Sequence, residues 1–211
     1  MAISKLATYI QLSPNYTKMT NKKNKKITIH HVAGITTAKA LGNLFANPSR
    51  QASSNYGIGN DGTIGCYVDE DNRSWCSSSR ANDEQAITIE VSNCSGAPDW
   101  KVSDAAMASL IKLCVDICER NGIEELIFTG DATGNLTQHN YFAATDCPGK
   151  YLKSKFPWIA EQVNTQLKNN KAAANKKTIY RVQVGAFSKR ENAENMLKKL
   201  QSQGYTDAFI K

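Results

Sequence analysis

Ala86-Ile87-Thr88-Ile89-Glu90-Val91 is the stretch that most limits what this chain can become. β-Branched side chains dominate it, and such side chains favour the extended pleat. It reads as a strand at the centre of a sheet, and a lone strand is not stable, so partners must exist. Ile27-Thr28-Ile29-His30-His31-Val32 is a second run of the same kind. Asn60-Asp61-Gly62 lies between the strand-like runs Asn55–Gly59 and Thr63–Val68, and Asp-Gly in that position marks a hairpin. Helices alternate with these strands. Residues 36–46 form a short one ending before Asn47-Pro48. Ser103 caps another from about 104 to 120, with Met107, Leu110, Ile111, Cys114 and Ile117 at helical spacing. The order specifies an α/β fold, a central mixed β-sheet flanked by helices.

Leu126-Ile127-Phe128-Thr129 reads as a further strand. A terminal helix follows Cys147-Pro148-Gly149, with Pro157 expected to kink or break it. Residues 1–168 are expected to form the main domain and 169–177, poor in complexity, a linker. Residues 178–211 read as a small β-α-β unit. Its parts are the strand Tyr180–Phe187, a helix from about 189 to 203 capped by Ser188, and a strand at Ala208-Phe209-Ile210. Such a unit is too small to bury a good core alone.

Charge follows the same division. Residues 1–168 hold 17 Lys/Arg against 16 Asp/Glu, and residues 169–211 hold nine against three. A basic tail fits an acidic partner such as a wall polymer, or a solubilising linker. Basic charge without exposed aromatics on one face is poor support for nucleic-acid binding, so no nucleic-acid partner is expected. No apolar run reaches the roughly 18 residues of a transmembrane segment. The N-terminus lacks an apolar stretch of signal-peptide length, so synthesis in the cytoplasm without a cleavable leader is expected. The six cysteines, at 66, 76, 94, 114, 118 and 147, are expected to be free thiols, at most one with a chemical task.

There are three histidines. His30 shares a strand face with Thr28, opposite Ile27 and Ile29, and adjacent His31 points the other way, as a packing residue. His139 follows Asn135-Leu136-Thr137-Gln138, a loop-like stretch, and Cys147 comes eight residues later. Two imidazoles and a thiolate make a three-ligand zinc set with a position left for water. By residue type alone the set stays open between that reading and three unrelated side chains. Asp146 competes with Cys147 as a ligand and serves equally as a helix cap. Glu90 interrupts an apolar strand, where a carboxylate is costly to bury without a partner. It is either a general base beside a metal or a surface-facing residue.

Four stretches, taken in order, resemble the zinc-dependent N-acetylmuramoyl-L-alanine amidases. They are Ile27–Ala33, Ala52–Gly62, Ala86–Val91, and Gln138-His139 with Thr145-Asp146-Cys147-Pro148-Gly149. That family includes phage endolysins and bacterial wall amidases and shares its fold with animal peptidoglycan recognition proteins. The resemblance implies that His30, His139 and Cys147 hold Zn2+, which polarises the scissile carbonyl and acidifies water. It implies that Glu90 takes the water's proton and that the Thr145 hydroxyl donates to the oxyanion. Some members carry a catalytic tyrosine seven residues before the Asp-Gly turn. Here that position is Ser54, and Tyr56 is out of register, so the proton work falls to Glu90. Arg73 and Trp75 are candidate substrate contacts, the arginine for stem-peptide carboxylates and the tryptophan for sugar or peptide, beside an ordinary structural reading for each.

The tail resembles the first half of a SPOR module, through Tyr180–Phe187 and the helix after it. That implies binding to glycan strands, and with half a module three outcomes stay open: pairing with another chain (self-association), truncation, or docking on the amidase. The expected activity is cleavage of the amide between N-acetylmuramic acid and L-alanine in peptidoglycan by a phage or prophage endolysin, acting on the cell wall after release. The alternatives are a bacterial autolysin, or a non-catalytic peptidoglycan receptor of the same fold.

Overall fold

The computed structural model describes residues 2–175 and 182–211. The chain divides into two units, Met1–Ala173 and Ala174–Lys211.

The first unit is built on a six-stranded mixed sheet. Its strands are β1 (Tyr9–Ile10), β3 (Lys26–His31), β4 (Tyr56–Ile58), β5 (Ile64–Cys66), β7 (Ala86–Val91) and β8 (Leu136–Gln138), in the order β1-β5-β4-β7-β3-β8. Only the β4–β5 hairpin is antiparallel. It turns at Asp61-Gly62, where Gly62 has φ +83 and the Asp61 carboxylate accepts from the Thr63 N–H at 3.0 Å. The remaining strands, β2 (Tyr16–Thr17) and β6 (Arg73–Ser74), form a separate antiparallel pair.

β3 and β7 run parallel with Ile27, Thr28 and Ile29 opposite Ile87, Thr88 and Ile89. Alternation therefore sends four isoleucines to one face, all fully buried. On them pack α3 (Asp104–Asn121), through Leu110, Leu113, Cys114 and Ile117, and α4 (Gly149–Asn175), through Leu152, Phe156, Ile159 and Val163. The opposite side has a smaller cluster of Leu41, Phe45 and Tyr67, built on α1 (Ala38–Ala46). The short α2 (Arg80–Asp83) precedes β7.

α3 begins where Ser103 accepts from the Ala106 N–H at 3.2 Å and itself donates to the Asn60 carbonyl at 2.6 Å. It ends at Gly122, whose φ of +67 closes the last turn onto the Cys118 carbonyl. Ser103→Ala should cost about 1 kcal/mol, the usual worth of such a cap. A lower denaturant midpoint at unchanged slope is the check, with Ser103→Asn, which keeps a capping oxygen, nearer the parent.

Three expectations are corrected. Leu126–Thr129 is not a strand. Two side-chain amides take its backbone groups: Asn164 accepts from Leu126 N–H and donates to its carbonyl, and Asn135 accepts from Ile127 N–H. Asn135 and Leu136 donate their own N–H groups to the Ile127 carbonyl. α4 runs unbroken through Pro157 and continues to Asn175, so most of the expected linker is helical. Lys176 and Lys177 lie outside the described residues, as do Tyr180 and Arg181.

The second unit contains α5 (Arg190–Ser202), close to the expected helix, although Lys189 and not Ser188 occupies the N-cap. Among its described residues there is no strand, so the expected strands at 182–187 and 208–210 are not formed there, and none of those residues is buried. Without a buried face, extended segments of this length have nothing to pair against.

Candidate metal centre

Three neighbouring parallel strands end alike: Leu136-Thr137-Gln138-His139, Ile27-Thr28-Ile29-His30 and Ile87-Thr88-Ile89-Glu90. Their register sets Thr137, Thr28 and Thr88 in one row and His30 opposite Glu90. The threonines bury their hydroxyls in a polar layer, with Thr28 and Thr137 2.9 Å apart and Ser74 2.7 Å from Thr88. Two residues further along, the C-terminal ends of the strands carry His139, His30 and Glu90. In open α/β sheets that end is where ligands bind.

Cys147 reaches the same point from the loop before α4. The His31 N–H donates to its sulfur at 3.4 Å, and its own N–H donates to Thr145 Oγ1 at 3.2 Å. Gly149 has φ +80 and lies so close to His31 that a Cβ would meet its ring at 2.9 Å. Only glycine lets the chain turn there and bring the cysteine in. His31 packs edge-on to Trp100, with ring centroids 5.5 Å apart, the packing role expected of it.

The ligand atoms of His30, His139 and Cys147 all lie within 4.8 Å of one another. The two imidazole centroids are 4.6 Å apart. His30 is fully buried and neither ring nitrogen has a hydrogen-bond partner; His139 Nε2 is likewise unpartnered. Burial, then the neighbouring histidines, hold His30 well below the usual imidazole range, and burial lowers His139. Both rings are therefore neutral, the form that ligates. Burial and then the Glu90 charge push the Cys147 thiol up, against the opposing His31 N–H. Two unpartnered neutral imidazoles and a sulfur fit a zinc-type ion.

Glu90 stands beside this set. Burial raises its carboxyl to about 8, opposed by its contact with Cys76 and by the charge of Arg50. A cleft of about 560 Å³ opens over the centre and is lined by Arg50, Trp75, Trp100 and Thr145 in addition to Cys76, Glu90, His139 and Cys147. Asp146 lines it too but belongs to no ligand cluster among the described residues.

Arg73 departs from expectation. Its guanidinium donates to Thr17 Oγ1 at 2.6 Å across the β2–β6 pair, and it does not line the cleft. Trp75 does line it, steadied by its indole N–H on the same Thr17 hydroxyl at 2.9 Å. The arginine on the cleft is Arg50, in a 3-10 turn that sequence reasoning passed over as a helix end; Trp100 and Cys76 were also missed. Adjacency to Trp75 was the one signal for Cys76. Tyr56 is fully buried, with its hydroxyl donating to Glu70, away from the centre. Glu70 in turn takes two N–H groups from Arg120.

The family description N-acetylmuramoyl-L-alanine amidase matches residues 20–150, and the SPOR domain description matches residues 160–211. No curated protein matches the chain. Solved structures do. PlyL aligns with TM-score 0.56 at 14% identity, covering 74% of this chain and 95% of that one. A selenomethionine derivative of AmpD gives 0.56 at 20%, covering 75% and 96%. A mutant endolysin from Bacillus subtilis gives 0.55 at 18%, covering 74% and 97%. At these identities the likeness is one of fold. The amidase match spans more than half of the chain and contains every member of the His/Cys cluster, so the chain belongs to the N-acetylmuramoyl-L-alanine amidase family, an enzyme with a zinc-amidase catalytic domain followed by a SPOR domain.

Proposed function

We propose that this amidase hydrolyses the amide between N-acetylmuramic acid and L-alanine with Zn2+ held by His30, His139 and Cys147. The observation that carries the reading is the meeting of two unpartnered imidazoles and a cysteine sulfur beside a carboxylate under an open cleft. Bound zinc would supply Lewis-acid polarisation of the carbonyl and a more acidic water. Glu90, opposite His30 in the strand register and beside the ligand set, takes a proton from the attacking water and returns it to the departing amine. Thr145 uses its oxygen to accept from the Cys147 N–H, and its own O–H remains to donate to the developing oxyanion. Arg50 matches a stem-peptide carboxylate, and Trp75 offers an aromatic face to sugar or peptide.

Within this reading the protein is an endolysin of phage or prophage type acting on the wall, with the SPOR domain and the basic tail holding it to glycan strands. Among the described residues no helix is long and apolar enough to cross a membrane. Purified wall treated with the zinc-loaded protein should gain free amino groups and no new reducing ends. Chelation should stop the release and added zinc restore it. Activity that survives complete metal removal overturns the proposal.

A further inference from the structure

A single ion at His30, His139 and Cys147 engages one nitrogen of the His30 ring. Both of that ring's nitrogens are buried without a partner. Histidines that bind metal almost always give their second nitrogen to a carboxylate, a carbonyl or water. Here a second group stands within reach instead. One ligand atom each from His30, Cys76 and Glu90 also lie within 4.8 Å of one another, and Cys76 Sγ is 3.8 Å from Glu90 Oε1. The far oxygen, Glu90 Oε2, is buried and unpartnered as well. Cys76 is fixed where it stands: its N–H donates to Asp83 Oδ2 at 3.1 Å, and the same carboxylate takes the Ser77 hydroxyl at 2.6 Å.

We propose that His30, Cys76 and Glu90 form a second site for a thiophilic divalent cation, adjoining the first and sharing His30 with it; its filling releases the His30 ring N–H proton and the Cys76 thiol proton to water, so that His30 bridges the two ions as an imidazolate. A nitrogen, a sulfur and a carboxylate oxygen are the donor types that zinc and cadmium accept. Filling it would occupy Glu90, so the site is inhibitory. That consequence rests on Glu90 being the base; the binding itself does not.

The test is a titration of the full chain with Co2+ and Cd2+, following the thiolate charge-transfer absorption and the bound metal by mass analysis. The parent should bind two equivalents, each bringing one thiolate. Cys76→Ala and Cys76→Ser should bind one, as should Cys147→Ser, which retains the Cys76 set. With zinc, parent turnover should fall by about 10²-fold beyond the first equivalent, the low end of what a positioned base contributes. Cys76→Ala should show no such fall, its turnover beyond the first equivalent staying equal to its own turnover at one equivalent. A parent binding one equivalent, with Cys76→Ala unaltered and Cys147→Ser binding none, overturns the second site and leaves the first standing. Two equivalents in both Cys76 variants also overturn it. A Cys76→Ala protein that binds nothing, with Cys147→Ser binding as the parent does, upholds the Cys76 set and overturns the His30–His139–Cys147 centre.

Discussion

Cys147→Ser is expected to lower wall-amidase turnover by about 10³-fold or more. Lewis-acid stabilisation by a bound ion contributes several kcal/mol to the transition state, and each 1.36 kcal/mol is a factor of about ten. A serine hydroxyl is a poor ligand for a zinc-type ion, so the variant should also carry one equivalent less metal than the parent. The fold should survive. The side chain meets the His31 backbone, accepting from its N–H at 3.4 Å and donating to its carbonyl at 3.9 Å, and a serine hydroxyl has the same donor and acceptor. Asp146→Asn is the control: Asp146 lines the cleft outside the ligand cluster, and its replacement should leave metal content unchanged. The pair of measurements is metal content and initial rate on purified wall. A serine variant keeping a tenth or more of the parent rate would refute the ligand assignment.

Glu90→Gln should lower kcat by roughly 10²- to 10⁴-fold, the range of a positioned general base. Glutamine keeps the shape of the side chain and removes only its basicity. Because Glu90 is placed by strand register, directly opposite His30, the substitution has no route to disturb the backbone. The first equivalent of metal should therefore bind as in the parent, and KM should change little, since the lost interaction belongs to the transition state. If the variant loses that first equivalent, Glu90 is a ligand of the catalytic ion and not its base. If kcat falls less than about tenfold, the proton passes through another group.

The long, strongly patterned elements were legible in the sequence for a physical reason. In β3 and β7 the repeated Ile-Thr-Ile forces alternate faces apart, so the position of His30 on the Thr28 face followed from the pleat alone. The same rule could not be applied to His139. Leu136-Thr137-Gln138 is short and ends in a polar residue, so nothing local marks it as a strand; its pairing to β3 makes it one. The two-residue strands β1, β2 and β6 are too short to carry a period. Leu126–Thr129 failed in the opposite direction. Its apolar content is that of a strand, but Asn135 and Asn164, distant from it in the chain or across a turn, claim its backbone. Arg73 and Arg50 were indistinguishable by residue type, and only the folded β2–β6 pair commits one of them to Thr17. By residue type the set of His30, His139 and Cys147 stayed open, and only the resemblance of the stretches around them tied the three together. Cys76 was hidden among six cysteines with no spacing to single it out.

The amides that displace a ladder at Leu126-Ile127 have a further effect. β8 is the last strand of its sheet, and an outer strand with open N–H and C=O groups is a template onto which another chain can add. Here the Ile127 carbonyl already takes the Asn135 and Leu136 N–H groups at that margin. At the other margin β1 spans just two residues. Both rims are thus poor seeds for polymerisation. The sheet should resist edge-to-edge aggregation even when many copies crowd onto one surface.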